Sequence, residues 1–222
     1  MNRNPDPSRS LGARIAAMLV WCALVLQFFL TATLVTEQGR GLLAGLEVFL
    51  SFFTILTNLL VATTLTVPLL AARTRLATFF AAPVLQGAIA TYIAAVGIAY
   101  SLLLRHLRPS EPLAYLADVG LHDVIPVTFV VYWWIVVPKG GLRWRHAVLW
   151  LSYPLVYVIY ALLRGAVIGR YPYWFLDAGL HGYARVFANM ALLTVGFLII
   201  GLIFVAVDRG LRRRRSREGV PS

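Results

Sequence analysis

Apolar residues run in six long blocks along the chain, at residues 13–35, 42–70, 77–103, 116–137, 147–165 and 186–207, with most of the charge confined to the segments between them. A helix needs about 20 apolar residues to cross the hydrocarbon core of a bilayer. Backbone polar groups find no partner in hydrocarbon, so blocks of this length have to be helices. The pattern predicts an all-α polytopic membrane protein, a six-transmembrane-helix bundle at 13–207 between a short N-terminal segment, 1–12, and a basic tail, 208–222. The first block follows Arg3, Arg9 and Arg14 as a signal peptide would. Its apolar run exceeds the roughly 7–15 residues of a cleaved signal core, which predicts a retained anchor.

Polar residues inside the blocks fall in stripes. Glu47, Ser51, Thr54 and Asn58 are spaced by 4, 7 and 11 in the second block, and Tyr153, Tyr157, Tyr160 and Arg164 repeat those offsets in the fifth. Such spacing is one face of a helix, and in a bilayer that face turns to the bundle interior. The sixth block brings Arg185 and Asn189 one turn apart, and the fourth brings His122 and Asp123 ahead of Pro126, a helix-kinking residue. The segment Arg170-Tyr-Pro-Tyr-Trp-Phe-Leu-Asp177 mixes aromatics with charge, a composition suited either to an interfacial anchor or to a cap over one mouth of the bundle.

Composition sharpens this picture. The chain is 60% hydrophobic, carries a formal net charge of +11 and has one cysteine, Cys22, which excludes an internal disulfide and a cysteine-based metal site. Fourteen of the 20 Lys and Arg residues, including Arg73, Arg75, Lys139, Arg143, Arg145, Arg209 and Arg212 to Arg215, fall on one side of the predicted bundle. Arg40, Arg105, Arg108, Arg164, Arg170 and Arg185 fall on the other. Cytoplasmic loops collect basic residues, so both termini are expected in the cytoplasm. The basic tail then reads as a contact for anionic lipid headgroups rather than for nucleic acid. The only lysine, Lys139, lies between blocks, which excludes a retinal Schiff base; no Gly-rich phosphate loop is present, and no His pair has the spacing of a zinc-enzyme helix. No cofactor and no metal are expected.

The segments Ser51-Phe-Phe-Thr-Ile-Leu-Thr-Asn58, Leu121-His-Asp-Val-Ile-Pro126, Val137-Pro-Lys-Gly140 and Tyr171-Pro-Tyr-Trp-Phe-Leu-Asp177, in that order, resemble the bacterial Pr-six-Pr family of six-pass integral membrane proteins. The resemblance implies a bacterial plasma membrane. The first two segments are also distantly similar to the eukaryotic androgen-induced family of six-pass hydrolases, which cleave fatty acid esters of hydroxy fatty acids with a Thr and a His. Carried over by position, that similarity implies Thr54, with Thr57 competing for the match, as nucleophile and His122 as base. A base is what a Thr hydroxyl requires before it can attack.

Around these two residues, Asp123, Glu47 and Asp177 are candidates to orient the imidazole, and Asn58 to donate to a developing oxyanion. Arg164, Arg185 and Asn189 complete the expected polar cluster. Two further readings compete: a transporter or small-ligand-binding protein using Glu47, His122, Asp123 and Arg164, and a protein whose stripes only hold helices together.

Overall fold

The computed structural model describes the backbone of residues 7–218 and the side chains of residues 11–212. Arg3 and the Arg213 to Arg217 side chains of the predicted anchor and tail lie outside the described residues. Among the described residues all regular structure is helical, and six helical segments are long and apolar enough to cross a membrane: Leu11–Glu37, Phe53–Leu70, Pro83–Leu107, Pro112–Val136, Trp144–Ile168 and Ala178–Arg212. An even number of crossings puts the start of the first and the end of the last on one side, here termed the terminal side; the other is the distal side.

Helix α1 (Pro7–Glu37) leads to a turn at Gly39, then α2 (Leu42–Leu50) folds back along it. Gly45 makes this packing possible: a Cβ there would lie 3.0 Å from the Ala32 Cα. The expected continuous helix over 42–70 breaks at Ser51-Phe52, and α3 (Phe53–Leu70) starts anew. Ser51 closes α2 by donating its hydroxyl to the Val48 carbonyl at 2.6 Å, and Phe52 adopts extended backbone, with φ −90° and ψ 132°. Glu47 therefore does not share a helix with Thr54 and Asn58, as an unbroken 3.6-residue repeat would have it.

On the terminal side, α4 (Arg75–Phe80) is a separate short helix, its first turn capped by Thr74, which accepts from the Ala77 N–H at 3.1 Å. The third span accordingly starts at Pro83 rather than 77, with α5 (Pro83–Ala99) followed by a π-helical turn at Tyr100–Leu104. The fourth span starts at α6 (Pro112–Val119), whose first amides are capped by Glu111. It passes through a second π turn at Gly120–Val124 and continues as α7 (Ile125–Val136). Pro126 lacks the N–H that an unbroken α-ladder returns to the His122 carbonyl, and the wider turn sits immediately before it. The fifth span is α8 (Trp144–Leu149) with α9 (Ser152–Ile168), and α10 (Ala178–Glu218) is kinked at Gly182, where φ is 73°. Helix α10 runs unbroken past residue 207, so no structural boundary marks the start of the tail.

Alpha-5 lies at the centre, packed on α3, α7 and α10. Buried aliphatic and aromatic side chains fill the interior, among them Val61, Ile89, Ile93, Phe129 and Trp133. The stripe on α9 meets the stripe on α2 and α3. Tyr153 pairs with the Thr57 hydroxyl at 3.3 Å, Tyr157 donates to the Ser51 carbonyl at 2.9 Å, and Arg164 donates to Glu47 at 2.7 Å. Tyr160, the remaining member, is 40% exposed and faces outward.

Beyond α9 the chain turns at Gly169 in the left-handed region and lays Tyr171 on Gly165. A Cβ at Gly165 would lie 2.1 Å from the Tyr171 ring, so no other residue fits without moving it. Gly165→Ala should therefore displace Tyr171 and cost about 1–3 kcal/mol, the usual range for overpacking. Unfolding in detergent checks this, and unchanged stability would show that the ring has free space to retreat.

Candidate functional site

Thr54 occupies the first turn of α3, just inside the helix break. Phe52 at the N-cap position offers no acceptor of its own, so the first amides of α3 and the positive end of its dipole need a partner from elsewhere. The group that meets them is Tyr173, reaching inward from the distal segment. The Thr54 N–H donates to the Tyr173 hydroxyl oxygen at 3.3 Å, and the two hydroxyls lie 3.4 Å apart. Burial pushes the Tyr173 phenol above its ordinary pKa, against the pull of the Thr54 hydrogen bonds, so it keeps its proton at neutral pH. Phe175 and Leu176 are buried beside it. The aromatic segment is thus a cap over the bundle.

His122 lies in the second π turn. Its Nδ1 faces the Asp118 carboxylate at 3.1 Å and the Asp118 carbonyl at 3.0 Å. Its ring stacks on Tyr100 of the first π turn, with centroids 4.0 Å apart. Tyr100 donates its hydroxyl to the same carboxylate, and Arg108 adds a third donor at 3.0 Å. Asp118 is thereby a buried carboxylate with three donors around it, a satisfied arrangement of the kind that low dielectric demands. Nδ1 is engaged, and Nε2 has no hydrogen-bond partner among the described residues.

Thr54 and His122 line one cavity of about 340 Å³ between α1, the α2–α3 break and the two π turns. A simple count of residues along straight helices separates them in depth; in the folded chain both border the same space. Gln27 and Thr31 of α1 form the opposite wall. A second, smaller chamber of about 80 Å³ lies behind Thr54, Tyr100 and Tyr173, its walls largely apolar residues such as Val158, Leu193 and Phe197. Thr57 lines neither space: it is fully buried and bonded to Tyr153.

The other expected residues disperse. The Asn58 amide donates to the Thr54 carbonyl at 2.8 Å and to the Leu121 carbonyl at 3.4 Å, so it ties the two site-bearing segments together and is committed rather than free. Asp123 pairs with Arg105 at 2.6 Å and Arg108 at 2.5 Å. Glu47 and Arg164 form an ion pair at 2.5 Å near the distal surface, with Arg40 at 3.6 Å, and line neither cavity. Asp177 accepts the Leu180 N–H at the start of α10. Asn189 donates to the Phe175 carbonyl at 2.9 Å, which holds the cap down, and Arg185 is exposed. Of the candidate orienting carboxylates, none touches His122. The one that does, Asp118, stands four residues before it, a spacing that places both on one helix face and that offered the signal. Tyr100, Arg108 and Tyr173 come from distant segments and left no such trace.

Among the described residues no three His, Cys, Asp or Glu side chains gather as a metal would require. Comparison with protein-family models, with curated proteins and with solved structures matches none.

The Asn58 bridge carries a direct consequence. Asn58→Leu removes the side-chain donor shared by the Thr54 and Leu121 carbonyls, for an expected loss of about 0.5–1.5 kcal/mol in detergent unfolding. An unaltered midpoint would mean that the two segments are held together without it.

Proposed function

We propose that this membrane protein is a hydrolase of lipid esters, with Thr54 as nucleophile and His122 as general base. The observation that carries the reading is the presence on one cavity of a hydroxyl in the first turn of α3 and an imidazole whose Nδ1 is held by a buried carboxylate. That is the logic of the Ser-His-Asp arrangement, recognised by geometry and roles. The resemblance to the androgen-induced hydrolases supports the same two residues.

In this scheme the Thr54 hydroxyl turns from Tyr173 to His122. Nε2 takes its proton as Oγ1 attacks the ester carbonyl, and Asp118 stabilises the imidazolium. The tetrahedral oxyanion is met by the first amides of α3 and by the Tyr173 hydroxyl, which already lies against the Thr54 N–H. The C–O bond breaks and the departing alkoxide takes the proton from His122. Water, deprotonated in turn by His122, then releases the acid from Thr54. The apolar chamber behind Thr54 suits the acyl side of such a substrate.

A non-catalytic transporter or ligand-binding protein is the second reading. It relies on Glu47, His122, Asp123 and Arg164 as one cluster, and these residues divide between two networks: Glu47 with Arg164, and His122 with Asp123 through Asp118 and Arg108. We further propose that both termini are cytoplasmic in a bacterial plasma membrane. There, the basic tail at 208–222 would meet anionic headgroups.

The test is labelling by a fluorophosphonate, together with ester turnover, on purified protein in detergent. Thr54→Ala, His122→Ala and Asp118→Asn should each lower turnover by about 10²–10⁴-fold, while Thr57→Ala keeps it within about threefold, since its hydroxyl serves packing. Undiminished turnover in Thr54→Ala, or absence of labelling in well-folded wild type, would remove the reading and favour transport or binding.

A further inference from the structure

The two π turns do more than aim Tyr100 and His122. An extra residue in a turn widens a helix locally, and such bulges gather at functional places. Here one ends α5, the other precedes α7, and the two helices are neighbours. They approach closely at Gly97, where a Cβ would stand 3.1 Å from the Pro126 Cβ and 3.2 Å from the His122 carbonyl oxygen. Around this contact a groove of about 490 Å³ opens along the outside of the bundle. Its walls are Ile98 and Leu102 of the third span and Val127 and Val131 of the fourth, exposed by 48, 77, 65 and 48%.

Two properties separate this groove from ordinary lipid-facing surface. It has a polar end: Ser101 and Asp123 line it, and Arg105 joins them, donating to Ser101 Oγ at 2.8 Å and to Asp123 at 2.6 Å. Its lining also includes His122, which lines the Thr54 cavity as well. The α10 face of Leu192, Val195 and Ile199 is equally exposed but offers neither feature. A concave aliphatic surface within a membrane-spanning segment, closed by hydrogen-bonding groups at one end, is complementary to an amphiphile: chain along the walls, polar part among Ser101, Asp123 and Arg105.

We propose that the α5–α7 groove binds one hydrocarbon chain of a lipid ester and is the side door by which that ester leaves the bilayer for the cavity, with His122 at its inner end. The identity of the chain as substrate rests on the hydrolase reading; the binding of a chain does not.

The experiment uses the full-length protein in phosphatidylcholine nanodiscs and an alkyl ester with a diazirine near its chain end, in a Thr54→Ala background that keeps the ester whole. Peptide mapping should find saturable labelling at 98–102 and 127–131. Val127→Trp, and separately Leu102→Trp, fill the groove and should lower it about tenfold, while labelling at 192–199 stays unsaturated and unchanged. Groove labelling that rises linearly with probe, as at 192–199, or that ignores both tryptophans, overturns the proposal. In the Thr54-intact protein, Val127→Trp should lower kcat/KM about tenfold for a long-chain ester and leave a butyrate ester unchanged; equal loss for both chain lengths overturns the door. A wild type that turns over neither ester refutes the hydrolase reading, while the labelling still decides whether a chain occupies the groove.

Discussion

The structure depends on how an interrupted helix is satisfied where water is scarce. Breaking the chain at Ser51-Phe52 frees carbonyls at the end of α2 and amides at the start of α3, and each left bare in hydrocarbon costs several kcal/mol. The protein answers with side chains from two other places in sequence. Tyr157 of α9 donates to the Ser51 carbonyl, and Tyr173 of the cap receives the Thr54 N–H. The fifth span and the distal segment converge on the break because these backbone groups require partners. Thr54 becomes a candidate nucleophile as a by-product of that requirement: it is the hydroxyl residue in the first turn after the break.

The second half of the site follows from a similar disturbance in the fourth span. The π turn before Pro126 brings His122 over Tyr100, and the stack fixes the ring plane while Asp118 fixes the nitrogen. Arg108 binds Asp118 and Asp123 together, so the carboxylate pair and their cations form a balanced group at the distal end of the bundle. Charge is kept near the interface, where water still reaches, and only the satisfied carboxylate goes deeper.

Much of this was legible in the chain. Block length and composition determine a six-helix bundle because the bilayer imposes one dimension on every span. The α9 stripe was legible because its partners had to lie on a neighbouring helix. Ser51-Phe52 was not: both residues tolerate helix, and the break is decided by Tyr157 and Tyr173, which lie 106 and 119 positions from the residues they serve. Glu47 was expected beside Thr54 for the same reason, since an unbroken repeat would have carried it there; on α2 it pairs with Arg164 instead. Asp118 was within reach through its spacing from His122, but Asp123 adjoins His122 in sequence and drew attention to the wrong carboxylate. Asn58 was expected to face a reacting group; its amide instead meets the Thr54 and Leu121 carbonyls, because a donor's partners depend on distance in space.

Helix α10 offers a different perspective. From Gly182 to Glu218 it is a continuous rod, about 54 Å at 1.5 Å per residue, longer than the bilayer core is thick. Near one end Asn189 grips the Phe175 carbonyl of the cap; towards the other, Asp208, buried to 1% exposure, accepts the Leu142 N–H of the 137–143 turn. A rod clamped at both ends is a mechanical coupling. One helix thus ties the 137–143 turn on the terminal face to the segment that carries Tyr173 on the distal face.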